Sequence, residues 1–139
     1  MTQSEVLKER TKKFAIGIIK LFRMLPKTEE ARVIGRQVLR CGTSVAANYR
    51  AVCRARSKAE FVAKMGIVVE EADETVFWLE LLVDAQVARQ EQVASVLAEA
   101  NELLAIFAAS QRTVKSSNSA MKQCLNVTME KCFNDPMKK

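Results

Sequence analysis

The chain has 139 residues, 49% of them hydrophobic and 27% charged, with a net charge of +6. That length and apolar fraction suit one globular domain with a real core and leave too little for two. Only four glycines and two prolines occur, and apolar residues recur every three or four positions, which excludes a strand-and-hairpin architecture and predicts an all-α fold.

The absence of histidine removes a di-iron reading of a helical bundle, which needs Glu-x-x-His pairs. Cys41, Cys53, Cys124 and Cys132 form no C-x-x-C pair, so zinc lacks its usual ligands and inert thiols are expected. No glycine-rich phosphate loop, nucleophile motif or triad can be assembled, so no catalytic residue, metal or other cofactor is expected and the protein reads as a non-enzyme. The N-terminal M-T-Q-S-E-V-L-K-E-R lacks the apolar core of a secretory signal, and no run of about 18 uninterrupted apolar residues exists to cross a bilayer. A cytoplasmic protein with no membrane partner is the expectation, and the sequon at Asn126-Val127-Thr128 is then a chance match.

In chain order, Thr2 and Glu5 fit a capping box. Phe14, Ile18, Leu21, Phe22 and Leu25 then repeat at helical spacing until Pro26, predicting a first helix over residues 4 to 25. Thr28 is the expected N-cap of a second helix, with Glu29 and Glu30 in its first turn, where the helix dipole favours acids. Its seam is read as Ile34, Val38, Cys41, Val45, Asn48 and Val52. Arg36, Arg40, Thr43, Ala47, Arg50 and Arg54 repeat the same spacing two positions on, a rotation of roughly 200° that puts an arginine ladder opposite the seam. Gly42, Thr43, Ser44, Ala46 and Ala47 between the arginines suggest that something packs closely there, since a mid-helix glycine costs about 1 kcal/mol relative to alanine.

Ser57 with Glu60 predicts a second capping box and a third helix over 58 to 86, with the seam Phe61, Met65, Val68, Ala72, Thr75, Leu79 and Leu82. A fourth helix over 91 to 114 carries Val93, Leu97, Ala100, Leu104 and Phe107, its stripe widened by Val96, Leu103 and Ile106. Short connections favour an antiparallel up-down-up-down bundle over residues 1–115. Residues 116–139 read either as a tail or as a short fifth helix capped by Ser119, with Met121, Leu125, Met129, Cys132 and Phe133 on one face.

Charge is unevenly placed along this frame. Arg32 to Lys64 carries eight Lys or Arg against one acid, whereas Glu70 to Glu102 carries nine acids against one base. A basic face expects an anionic partner: nucleic acid, the acidic helices of another subunit, or the acidic half of the same chain. Nucleic acid would be held mainly at its phosphates by Arg36, Arg40, Arg50, Arg54, Arg56 and Lys58. Glu71 and Glu74 share a face near Trp78 and are read as solvated or arginine-paired. Asn48, polar at a seam position, is read as fixing register or oligomeric order. Tyr49 and Trp78 fall outside the main seams, each serving a subunit interface or a second core layer.

S-V-A-A-N, then R-S-K-A-E-F, then W-L-E-L-L resemble, in order and spacing, the four-helix-bundle family of proteins encoded in rRNA intervening sequences. The resemblance runs from about Thr11 to Val114. Asn48 matches the family's A-N step, and Arg56, Ser57, Glu60 and Phe61 match its R-S-x-x-E-F turn. The resemblance implies an up-down bundle able to assemble as a homopentameric barrel. A related branch, the accessory variability determinants of diversity-generating retroelements, implies a basic pentamer that binds nucleic acid and a nucleic-acid-processing protein. Where many members continue with an I-A-E-G-like segment, this chain has Asn48-Tyr49-Arg50-Ala51-Val52, a more basic and more continuous helix. The expected function is a ring-forming bundle that binds RNA or DNA, structured RNA foremost. The alternative is a protein-binding scaffold whose arginine face is only a subunit interface.

Overall fold

The computed structural model describes residues 1–116 and consists of four helices: α1 (Gln3–Met24), α2 (Glu29–Cys53), α3 (Lys58–Asp84) and α4 (Gln90–Lys115). The remainder of the expected tail or fifth helix, from residue 117 on, lies outside the described residues. Local chemistry sets the helix starts. Thr2 Oγ1 accepts from Glu5 N at 3.2 Å while Glu5 returns a carboxylate to Thr2 N at 2.8 Å, the reciprocal capping box expected there. Thr28 Oγ1 accepts from Ala31 N at 3.3 Å. The box expected at α3 is only half made: Ser57 Oγ accepts from Glu60 N at 3.1 Å, but the Glu60 carboxylate turns to Lys64 at 2.8 Å. α3 stops two residues before the expected end because Gln86 takes a left-handed φ of 61°. Val87 N and Ala88 N then both bond back to Leu82 O, closing the helix in the way glycine usually does.

Cross-helix contacts fix the order. Leu25 and Phe22 approach Gly35, and Ile18 approaches Gly42, so α1 and α2 are antiparallel. Arg40 meets Glu71 and Glu74 across α2 and α3. Gln111 reaches Val62 O at 3.2 Å across α3 and α4. The α1–α4 seam has the thinnest packing and carries a clamp, Arg10 to Glu99 at 2.7 and 3.1 Å and to Glu102 at 3.2 Å. Hydrogen bonding to Glu99 leads the effects that hold this guanidinium above its ordinary pKa. The result is the expected antiparallel four-helix bundle, with all seven expected α3 seam residues buried.

Two seams are corrected. In α2, Asn48 is only half-buried and Tyr49 is 2% exposed, so the buried face is rotated by roughly 40° toward α1 and takes in Gly35, Gly42, Tyr49 and Cys53. The Asn48 amide bonds within its own helix, to Ser44 O at 2.9 Å and Ser44 Oγ at 2.7 Å. Tyr49, expected outside the seam, stacks on Phe107 with ring centroids 5.2 Å apart. In α4 the buried line is Val93, Ala100, Leu103, Phe107 and Val114, with Leu103 in place of Leu104. By length and composition α4 is apolar enough to cross a membrane, yet this line is used in the bundle core.

The close approach expected near Gly42 is made by α1. A Cβ at Gly42 would lie 2.7 Å from Ile18 Cγ1 and within 3.2 Å of two further carbons of the same fully buried, β-branched side chain. The helix-propensity gain of Gly42→Ala, about 1 kcal/mol, is therefore outweighed by overpacking that costs roughly 1–3 kcal/mol. Gly42→Ala is expected to lower the chemical-denaturation midpoint, and a midpoint at or above that of the native chain would contradict this close packing.

Candidate nucleic-acid interface

The antiparallel order brings four helix ends together: the start of α1, the end of α2, the start of α3 and the end of α4. Residues 3–13, 48–66 and 99–116 together hold eleven Lys or Arg against five acids, two of them the Glu99 and Glu102 that clamp Arg10. Their net charge equals that of the whole chain, so the protein's basicity is concentrated at one end of the bundle. Cations in the last turns of α2 and α4 (Arg50, Arg112 and Lys115) are favoured by the helix dipoles. Lys58 has no such reason, since it opens α3, where the dipole disfavours positive charge.

Within this cluster Arg50, Arg54, Arg56 and Lys58 are exposed, and none makes a side-chain ion pair among the described residues. Arg54 caps α2 through its backbone N–H, which bonds Ala51 O and Val52 O, so its guanidinium is free of that task. Glu60 sits in the same turn, its carboxyl held below the usual range by hydrogen bonding from Lys64 and then from the Arg56 backbone.

Higher on the ladder the structure divides the expected residues. Arg36 is exposed. Arg40 turns toward α3, where its guanidinium bonds Glu74 and approaches Glu71 at 3.5 Å. Glu74 also accepts from Cys41 Sγ at 2.9 Å and Trp78 Nε1 at 3.0 Å. The thiol's hydrogen bond, followed by the indole's, holds the Glu74 carboxyl below its ordinary range. Arg40, Glu71, Glu74 and Trp78 thus form one network tying α2 to α3, the intramolecular pairing that the sequence left as one of three options. Arg40 remains 52% exposed, but its charge is already opposed by two carboxylates.

Donor atoms of Cys41, Glu71 and Glu74 lie within 4.8 Å of one another, close enough to hold a metal ion. The chemistry is unfavourable. Arg40 already supplies the positive charge, and burial pushes the Cys41 thiol up to about 12, whereas metal binding needs the thiolate.

Sequence reading missed Lys8, Lys12, Arg112 and Lys115 as members of the basic end. Lys8, Lys12 and Arg50, with the acids Glu5 and Glu9, border an open groove of about 780 Å³ between α1 and α2, floored by Thr43, Ala46 and Ala47. These cations belong to helices far apart in sequence, so only the bundle order unites them. Summing charge over the terminal turns at each end of an assumed up-down bundle would have found them.

Residues 3–109 match the 23S rRNA-intervening sequence protein family. The chain belongs to that family. It is similar to a crystal structure of a protein of unknown function from the S23 ribosomal protein family of Bacteroides thetaiotaomicron. The two chains are 33% identical, with a TM-score of 0.71, over 81% of this chain and 98% of that one. No curated protein matches. The family assignment agrees with the resemblance carried by S-V-A-A-N, R-S-K-A-E-F and W-L-E-L-L, and it covers all four helices except the last turns of α4.

Proposed function

We propose that this member of the 23S rRNA-intervening sequence protein family is a non-enzymatic cytoplasmic protein that assembles as a ring, a homopentamer by family resemblance. Each subunit grips nucleic acid, structured RNA foremost, through its basic end. The observation that carries this reading is the gathering of eleven cations against five acids at one end of the bundle, with Arg50, Arg54, Arg56 and Lys58 exposed and, among the described residues, opposed by no side-chain carboxylate in an ion pair. Guanidinium and ammonium groups so placed bind phosphates, and the affinity then depends steeply on salt and little on sequence. Repeating the end around a ring multiplies weak contacts through effective concentration. The family's name, which ties it to 23S rRNA intervening sequences, points to RNA ahead of DNA.

Stacking on bases plays little part, because Tyr49, the aromatic residue nearest the ladder in sequence, is buried against Phe107. The alternative, a scaffold that binds only protein, draws its support from the pairing of Arg40 with Glu71 and Glu74. Titration of a structured RNA at several salt concentrations separates the two. The double substitution Arg50→Glu with Arg54→Glu is expected to weaken binding and to reduce the slope of log affinity against log salt by about two. No binding at low salt, or binding that ignores both substitutions, would leave the protein-only scaffold standing.

A further inference from the structure

α3 presents an outward stripe whose members carry no ion pair among the described residues. Ile67 is 45% and Phe77 54% exposed, and Glu70, Asp73, Glu80 and Asp84 are exposed on the same side. Ile67 and Phe77 thus stand as two apolar teeth on an acidic ridge. Its chemical complement is on the other side of α2: the small-residue groove floored by Ala46 and Ala47, and beyond it Val33, 53% exposed, flanked by the exposed Arg32 and Arg36.

The two surfaces also match in register. Within the bundle, Arg40 lies level with Glu71 and Glu74, so α2 and α3 residues at equal height have numbers summing to about 113, given a rise of roughly 1.5 Å per residue. In a ring whose axis runs parallel to the helices, rotation from one copy to the next preserves height. Ile67 then meets Ala46 and Ala47 of the neighbouring copy, Phe77 meets Val33 and Arg36, and Glu80 and Asp84 face Arg32 and Arg36.

We propose that the α3 ridge of one copy docks antiparallel on the α2 face of the next, with Ile67 seated over Ala46 and Ala47 and Phe77 beside Val33. This rests on the ring reading above and assigns its contact surfaces. The two surfaces are different, so the contact is heterologous, the kind that closes into a ring when the rotation between copies divides a full turn. It also divides the arginine ladder by height: Arg32 and Arg36 serve assembly, Arg50 stands at the rim of the groove that seats Ile67, and Arg54, Arg56 and Lys58 stay clear of the contact.

The test uses the full chain with Cys124 and Cys132 replaced by serine. Two single variants, Ile67→Cys and Ala47→Cys, are mixed through subunit exchange and oxidised. A disulfide-linked dimer containing one of each is expected, and neither variant alone should give it. In parallel, Arg32→Glu with Arg36→Glu, and separately Glu80→Arg with Asp84→Arg, are expected to abolish the oligomer in sedimentation at concentrations where the native chain is assembled. All four changes in one chain should restore it. If the native chain assembles but the mixed disulfide is absent, or the reversals leave the oligomer intact, this contact is overturned while the ring stands. A native chain that is monomeric at high micromolar concentration overturns both.

Discussion

Replacing Phe107 by alanine is expected to lower the unfolding free energy by roughly 3–5 kcal/mol, the usual loss for a buried aromatic cut back to Cβ. Phe107 is fully buried on α4, and its ring lies 5.2 Å from that of Tyr49 on α2 at an interplanar angle of 29°. The pair therefore joins helices that are not neighbours in sequence order, across the middle of the core. Little can refill the space, since the surrounding side chains sit on four separate rigid helices and relax only partly. A loss of that size is a large share of the roughly 5–15 kcal/mol that holds a typical domain together.

Tyr49→Ala should fall in the same range, and the double variant should lose less than the sum by about 0.5–1.5 kcal/mol, the coupling of a stacked pair. Chemical denaturation followed by helical circular dichroism measures all four corners. Protein concentration must be held fixed, because assembly stabilises folded chains by mass action. A Phe107→Ala loss below 1 kcal/mol would mean that the stack is not part of the core.

Much of this architecture is legible in the sequence, and what is not has identifiable causes. Helix number, order and starts are set by near-neighbour chemistry: Thr2 with Glu5, Thr28, Ser57, and the stop at Pro26. The α3 seam is legible for the same reason, since its apolar residues keep one phase from Phe61 to Leu82. The α2 seam misleads because Asn48 and Tyr49 are adjacent, and periodicity alone fits either of two phases. Gly35 and Gly42 decide between them by letting Leu25, Phe22 and Ile18 of α1 come close, and this draws Tyr49 into the core. A glycine pair seven residues apart on the flank of the seam was the available signal.

The arginine ladder was legible as a pattern, but its division was not. Arg40 differs from Arg36 and Arg50 only through Glu71 and Glu74, more than thirty residues later, whose height on α3 depends on the α2–α3 turn. The basic end likewise exists only after antiparallel packing unites the start of α1 with the end of α4. Local chemistry thus gives the elements, and topology gives the electrostatics that bear on function.

The network around Glu74 makes the second large expectation, a loss of stability at alkaline pH that depends on one thiol. Burial foremost, then the hydrogen bond to Glu74, push Cys41 from an ordinary value of 9.0 up to about 12 in the folded chain. A folded pKa above the unfolded one means a contribution fully present below pH 9 and lost as pH rises toward 12. The slope approaches 1.4 kcal/mol per pH unit, of order 3 kcal/mol across that window.

Glu74 acts in the opposite sense. Its lowered folded pKa gives stability present above the usual carboxylate range and lost as pH falls through it. Two substitutions separate the contributions. Cys41→Ser keeps a hydroxyl able to donate to Glu74 but removes the ionising thiol, so the alkaline loss should shrink while the acid loss remains. Cys41→Ala removes the donor as well and should shrink both. Unfolding free energies measured from pH 3 to 12 for the three chains decide the matter, and parallel native and Cys41→Ser curves above pH 9 would be incompatible with a buried thiol bonded to Glu74. A thiol held protonated in this way is a poor nucleophile and a poor metal ligand at neutral pH. The Cys41–Glu74–Arg40 cluster is then a tie between α2 and α3.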